Sequence, residues 1–140
     1  MNKTILLVAC IMVLMLSKAQ SQQHPIDSAL SICLASFNGS TTAGMLQCSQ
    51  KAYQNWDAEL NNVYGLLLDS VKGTTIEVRL KETQKAWIQH RDKEFAFTDH
   101  LYLSQRGSMY KVMAASYKTE FVKERTLELE HLFQIIYSNY

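Results

Sequence analysis

The chain has 140 residues, 47% of them hydrophobic, with 14 basic against 13 acidic residues. That length allows one domain with a sizeable core, and the near balance of charge excludes a nucleic-acid binder, which carries a basic excess. Five glycines and one proline are too few for a turn-rich architecture and favour long regular elements.

Met1-Asn2-Lys3 is a short basic start, Thr4 to Leu16 is an apolar run, and Ser17-Lys18-Ala19 places small residues where a signal peptidase reads. This is the pattern of a secretory signal peptide over residues 1–19, cleaved after Ala19 or, two residues later, after Ser21. The run is too short to span a bilayer, which takes roughly 20 apolar residues. Leu7-Val8-Ala9-Cys10 also looks like a lipobox, with Cys10 as the lipidated residue. The apolar run continues past Cys10, where a lipoprotein would place a polar tether, so the sequence favours Cys10 as one more residue of the signal. The expected location is the periplasm or the secreted fraction. Cleavage at Ala19 removes Lys3 and Lys18 and leaves 12 basic against 13 acidic residues.

Cleavage also leaves two cysteines, Cys33 and Cys48. In an exported chain an even pair reads as a disulfide, against the alternative of two buried thiols. A loop of this size stabilises by roughly 3 kcal/mol in the chain-entropy picture.

Residues 20–140 read as a single domain of four helices. The first runs from about Asp27 to Phe37, after Pro25, with Asp27 or Ser28 as cap and Ile26, Leu30, Cys33 and Phe37 as its apolar stripe. Asn38 to Thr41 is a turn, and Thr41 or Thr42 caps a second helix reaching about Ser70. Met45, Cys48, Ala52, Trp56, Leu60, Val63 and Leu67 recur along it at steps of three or four, the amphipathic period. Cys33 and Cys48 flank the turn, so a bridge across this hairpin is geometrically reasonable.

Lys72 to Thr75 ends the second helix, and a threonine caps a third from about Ile76 to Leu101, with Leu80, Gln84, Trp87, Arg91 and Phe95 on one face. Gln105-Arg106-Gly107 breaks the chain. Ser108 caps a last helix with Val112, Ala115, Val122, Arg125, Leu129, Leu132 and Ile136 as its stripe. The fold class is therefore all-α, a four-helix antiparallel bundle with one disulfide-stapled αα-hairpin.

The stripes contain polar intruders. Arg91 and Arg125 occupy positions otherwise apolar, and Asp57, Asn61 and Tyr64 share a face of the second helix. A buried arginine needs an acidic or carbonyl partner, and Asp57 is the candidate. Together with Gln84, Trp87 and Asp92 these residues form a candidate buried polar seam, read either as an internal network fixing helix register or as a polar pocket.

No catalytic constellation is visible. Histidines 24, 90, 100 and 131 lack metal-ligand spacing, Asp57 and Glu59 point in different directions on a helix, and no phosphate loop or nucleophile motif occurs. Neither an enzyme nor a cofactor is expected. On the last helix Glu120, Glu124 and Glu128 fall one turn apart. They read either as a solvated face relieved by Lys118 and Lys123 or as an acidic strip for a basic partner.

Taken in order, Cys48, Ala52-Tyr53, Asp57, Leu60-Asn61, Tyr64, Leu80-Lys81, Gln84, Trp87, Arg91-Asp92, Gly107-Ser108, Arg125 and Leu129 resemble the LprI-type lysozyme-inhibitor family, small exported helical proteins. The resemblance spans about Cys33 to Leu129. Family members carry a second cysteine pair at the positions held here by Phe95 and Tyr117, which implies an aromatic contact in place of that bridge. It further implies a non-enzymatic exported binding protein, a periplasmic inhibitor of lysozyme-type muramidases with lysozyme as partner. The alternative is a cell-envelope structural or interaction module that binds another protein or a small ligand.

Overall fold

A computed structural model describes residues 23–138; the expected signal peptide and Cys10 lie outside the described residues. Four α-helices follow one another: α1 (Pro25–Ala35), α2 (Thr42–Ser70), α3 (Thr75–Leu103) and α4 (Met109–Tyr137), with a 3-10 turn (Asn38–Ser40) between α1 and α2. The three long helices have 29 residues each, about 43 Å at the helical rise.

Local chemistry sets the helix ends. Pro25 opens α1 where its missing N–H costs nothing, and His24 Nδ1 accepts from the Ile26 N–H at 3.2 Å. The capping group is thus His24 rather than Asp27 or Ser28. α1 stops at Ala35, so Phe37 falls in the turn and stands 93% exposed instead of completing the apolar stripe. Thr41 Oγ1 accepts from the Gly44 N–H at 3.0 Å and caps α2. Gly44 is needed there, because a Cβ would lie 1.7 Å from the Asn38 carbonyl oxygen.

Gly73, at φ +78°, reverses the chain after α2. Its N–H donates to Glu77 Oε2 at 2.7 Å, and Glu77 also holds Lys81. Glu77 therefore fastens the first turn of α3 from inside the helix. Thr74 and Ser108 occupy the cap positions of α3 and α4 without making side-chain cap bonds.

The Cys33–Cys48 disulfide is formed, with Cα atoms 5.8 Å apart, and joins α1 to α2. Successive helices run antiparallel, but the most intimate packing is between α2 and α4, which run parallel. Thr119 Oγ1 donates to the Ser49 carbonyl at 3.2 Å, and Thr126 Oγ1 to the Trp56 carbonyl at 3.4 Å. Both pairs are offset by 70 positions, which fixes the direction. Ser49, Trp56 and Val63 on α2, and Val112, Thr119 and Thr126 on α4, are buried at steps of seven, the spacing of a helix–helix seam. The core lies along it: Trp56, Leu60, Val63, Leu67, Val71, Leu80, Val122 and Leu129, flanked by Trp87, Phe95, Phe133 and Ile136. Leu132, expected in the stripe of α4, is 39% exposed at the open end of the bundle.

Candidate functional site

The α3–α4 seam collects the charged and aromatic side chains. Trp87, His90, Arg91 and Glu94 lie on one side of α3, and Tyr117, Phe121, Glu124 and Glu128 recur at steps of four, three and four along one face of α4. Phe121 is the hub. Its ring centroid is 5.8 Å from Trp87, 5.6 Å from His90, 5.7 Å from Phe95 and 6.3 Å from Tyr117. Phe95 and Tyr117, expected from the resemblance to touch one another, each meet Phe121 instead.

Arg125 is 5% exposed. Its Nε donates to Gln84 Oε1 at 3.1 Å and its Nη1 to Glu128 Oε2 at 2.7 Å. Its guanidinium lies 5.9 Å from the Trp87 ring centre. Nη2 is buried and has no acceptor. Arg91 is bonded to its neighbour Asp92 at 2.8 and 3.0 Å, stacks 5.5 Å from the same Trp87 ring, and reaches Asp57 only at 4.0 Å. Both guanidinium groups thus approach the Trp87 ring, a favourable arrangement for an aromatic face.

The structure gathers Gln84, Trp87, Arg91, Asp92 and Arg125, with Asp57 at the edge of the group. Asn61 is separate: it is exposed, and its amide donates to the Asp57 backbone carbonyl at 2.7 Å. Tyr64 packs against the apolar core. Asp57 does not pair with Arg125, whose partners come from α3 and from its own helix.

The three glutamates of the strip differ. Glu120 meets Lys123 at 3.5 Å and Glu128 meets Arg125, while Glu124 is exposed and makes no ion pair among the described residues. Sequence reasoning missed Glu94, which accepts from the Tyr117 hydroxyl at 3.2 Å. Partial burial pushes the Tyr117 phenol above its ordinary range, the Glu94 carboxylate adds to this, and Glu124 contributes further. Glu94 lies on the helical face of Trp87 and Arg91, seven and three residues on, and that spacing was the available signal.

Three other features complete the surface. Lys118 pairs with Asp99 at 2.7 Å and lies over the Phe95 ring. They line an open groove of about 720 Å³ with Leu46, Tyr53 and Leu103. Trp56 is fully buried beneath the His24 ring, 4.3 Å away, and its Nε1 has no acceptor. Among the described residues no cluster of three or more His, Cys, Asp or Glu could hold a metal ion, and no helix is long and apolar enough to cross a membrane.

These features define a small disulfide-stapled helical domain with an acidic and aromatic seam on one side. The chain belongs to the lysozyme inhibitor LprI family, whose model matches residues 33–129. It is 28% identical over 99 residues to the uncharacterized protein R02472 of Rhizobium meliloti (strain 1021), covering 62% of this chain and 70% of that one. It is also similar to the crystal structure of an uncharacterized protein from Burkholderia thailandensis, with a TM-score of 0.78 and 30% identity. That match covers 84% of this chain and 58% of the Burkholderia chain, so this chain spans less than two thirds of that structure's length.

Proposed function

We propose that the protein is a non-enzymatic exported inhibitor of a lysozyme-type muramidase, and that the basic enzyme docks on the α3–α4 seam. Family membership supports the class of activity. The observation that carries the surface is the exposed Glu124, without an ion pair among the described residues, on the same face of α4 as Tyr117, whose hydroxyl donates to Glu94 at 3.2 Å. Aromatic rings beside carboxylates suit a cationic partner. The rings supply area at low entropic cost, and the charges steer approach. Glu120 and Glu128 contribute less, because each faces a cation three residues away on its own helix.

Lysis of peptidoglycan by lysozyme, with and without the mature protein, tests this reading. We expect inhibition that weakens as salt rises, since exposed charges are screened over about 8 Å at physiological ionic strength. Glu124→Lys should weaken inhibition through a slower on-rate, with the helical signal unchanged. No inhibition at large molar excess across several lysozymes overturns the function and leaves an envelope interaction module. Inhibition indifferent to salt and to Glu124→Lys moves the site off this seam.

A further inference from the structure

α1 is fastened at its two ends by different chemistry. None of its 11 residues is buried, so packing alone holds it weakly. At its C-terminal end the Cys33–Cys48 disulfide ties it covalently to α2. At its N-terminal end the ties are the His24 ring on Trp56, Ile26 on the core and the Asp27–Lys123 ion pair. Trp56 lies beneath this end and has no exposed surface.

The His24 ring holds two contacts at once. Its Nδ1 accepts from the Ile26 N–H at 3.2 Å, and its face lies 4.3 Å from the Trp56 ring. Accepting takes a lone pair, so the closed arrangement needs Nδ1 unprotonated. An imidazolium donates from both nitrogens and turns a donor towards the Ile26 N–H. The Trp56 Nε1 is a further donor without an acceptor, so it offers the imidazolium no partner. The Trp56 ring attracts a cation, but Lys123 already lies 5.8 Å from its centre, and the attraction does not restore the lost acceptor. The charged groups on the elements around the ring are Asp27 on α1, Glu59 on α2, and Glu120 and Lys123 on α4. Asp27 and Glu120 both pair with Lys123, and Glu59 accepts from Asn62. Three carboxylates against one ammonium place no net repulsion on an added positive charge there.

We propose that α1 is a pH-sensitive strap: protonation of His24 removes its N-cap, and its N-terminal end lifts from Trp56 while the disulfide holds the other end as a pivot. The cap is lost whichever way the charged ring turns. Without its cap a helix end opens about fivefold more often. The strap is independent of the lysozyme reading, which uses the α3–α4 seam.

Hydrogen exchange followed by NMR on the mature protein, disulfide intact, is the test. The reporters are the Ser28 N–H, which donates to the His24 carbonyl at 3.0 Å, and the Trp56 indole N–H. Between about pH 7.5 and about pH 5.5, the span in which a histidine gains its proton, both should lose about fivefold in protection once intrinsic rates are corrected for. Amides beside Cys33 and in the α2–α4 seam should keep theirs. His24→Asn is the control, because asparagine caps a helix well and does not titrate. It should keep both reporters protected at the lower pH, with His90, His100 and His131 still present. Unchanged protection in the wild type overturns the proposal. So does an equal loss in His24→Asn, or a loss at Ser28 with the Trp56 indole still protected.

Discussion

The two sides of α4 are built on different principles. Towards α2 it presents Val112, Thr119, Val122, Thr126 and Leu129, all buried. The threonine hydroxyls are spent on backbone carbonyls of α2 and of their own helix. Towards α3 it presents Tyr117, Lys118, Phe121, Arg125 and Glu128, and the contacts are rings, ion pairs and one buried amide. The first seam is small side chains and close backbones, so its stability comes from packing density. The second holds its helices at the distance of stacked rings and leaves charge accessible. A single helix thus carries the fold on one side and, in the function proposed above, the docking surface on the other.

The largest effect expected from breaking this comparison is at Trp56, which has no exposed surface. Trp56→Ala should cost about 3–5 kcal/mol, read as a shift in the urea midpoint at constant slope. A cost near 1 kcal/mol would mean that the α2–α4 seam is not where the stability lies. Arg125→Met comes next. It removes the donor to buried Gln84 Oε1, and stranding that acceptor costs about 1–3 kcal/mol. The double variant Arg125→Met with Gln84→Leu should recover part of the loss, because both polar partners are then gone. No recovery would show that the guanidinium acts through its packing on Trp87 instead.

Arg91→Ala should be smaller still. Sequence position suggests a buried charge, but the side chain is 22% exposed and its carboxylates more so. Ion pairs of that kind contribute up to about 1 kcal/mol. The cost should exceed that of Arg106→Ala in the α3–α4 loop, where surface substitutions stay within about 0.5 kcal/mol. A loss of 3 kcal/mol or more at Arg91 would place a buried ion pair with Asp57 at the centre of the seam.

The packing seam was half legible from the chain. Trp56, Leu60, Val63 and Leu67 declare themselves by apolar period, and they are the core. Ser49, Thr119 and Thr126 are equally buried but escape a count of apolar residues; their steps of seven were the missing clue. The parallel pairing of α2 with α4 is a property of contacts 70 positions apart, which no local pattern encodes. On the other seam, Gln84, Trp87, Arg91 and Arg125 were visible as polar or aromatic members of apolar stripes. Their partners were not, because an arginine side chain reaches several residues equally well. Arg125 chose Gln84 and Glu128 over Asp57, and Asn61 turned back to its own helix. The pairing of Glu120 with Lys123 and of Glu128 with Arg125 follows a three-residue step that the chain does show. It reduces the acidic strip to Glu124, with Glu94 supplied from α3.

The smallest expected effect concerns how α1 is tied down. Besides the disulfide, Lys123 of α4 bonds Asp27 of α1 at 2.8 Å and lies 5.8 Å from the Trp56 ring centre. The Asp27 hydrogen bond raises the Lys123 pKa, burial opposes it, and Glu120 adds to the rise. A folded pKa above the unfolded value of about 10.4 means that the native state holds its proton more tightly than the unfolded chain. The contribution is therefore complete below that pH and is lost as pH rises through the folded pKa. Tyr53, Lys81 and Tyr117 are also raised and tilt the alkaline limb the same way, so the wild-type slope alone does not isolate Lys123. The difference between wild type and Asp27→Asn does. Urea midpoints at pH 9 and pH 11 should converge for the two proteins as pH rises, because the advantage of the ion pair vanishes with the lysine's charge. A gap that stays constant would mean Asp27 stabilises α1 through its place in the first helical turn, and that the disulfide and the packing of His24 and Ile26 on the core fasten α1 without help from the ion pair.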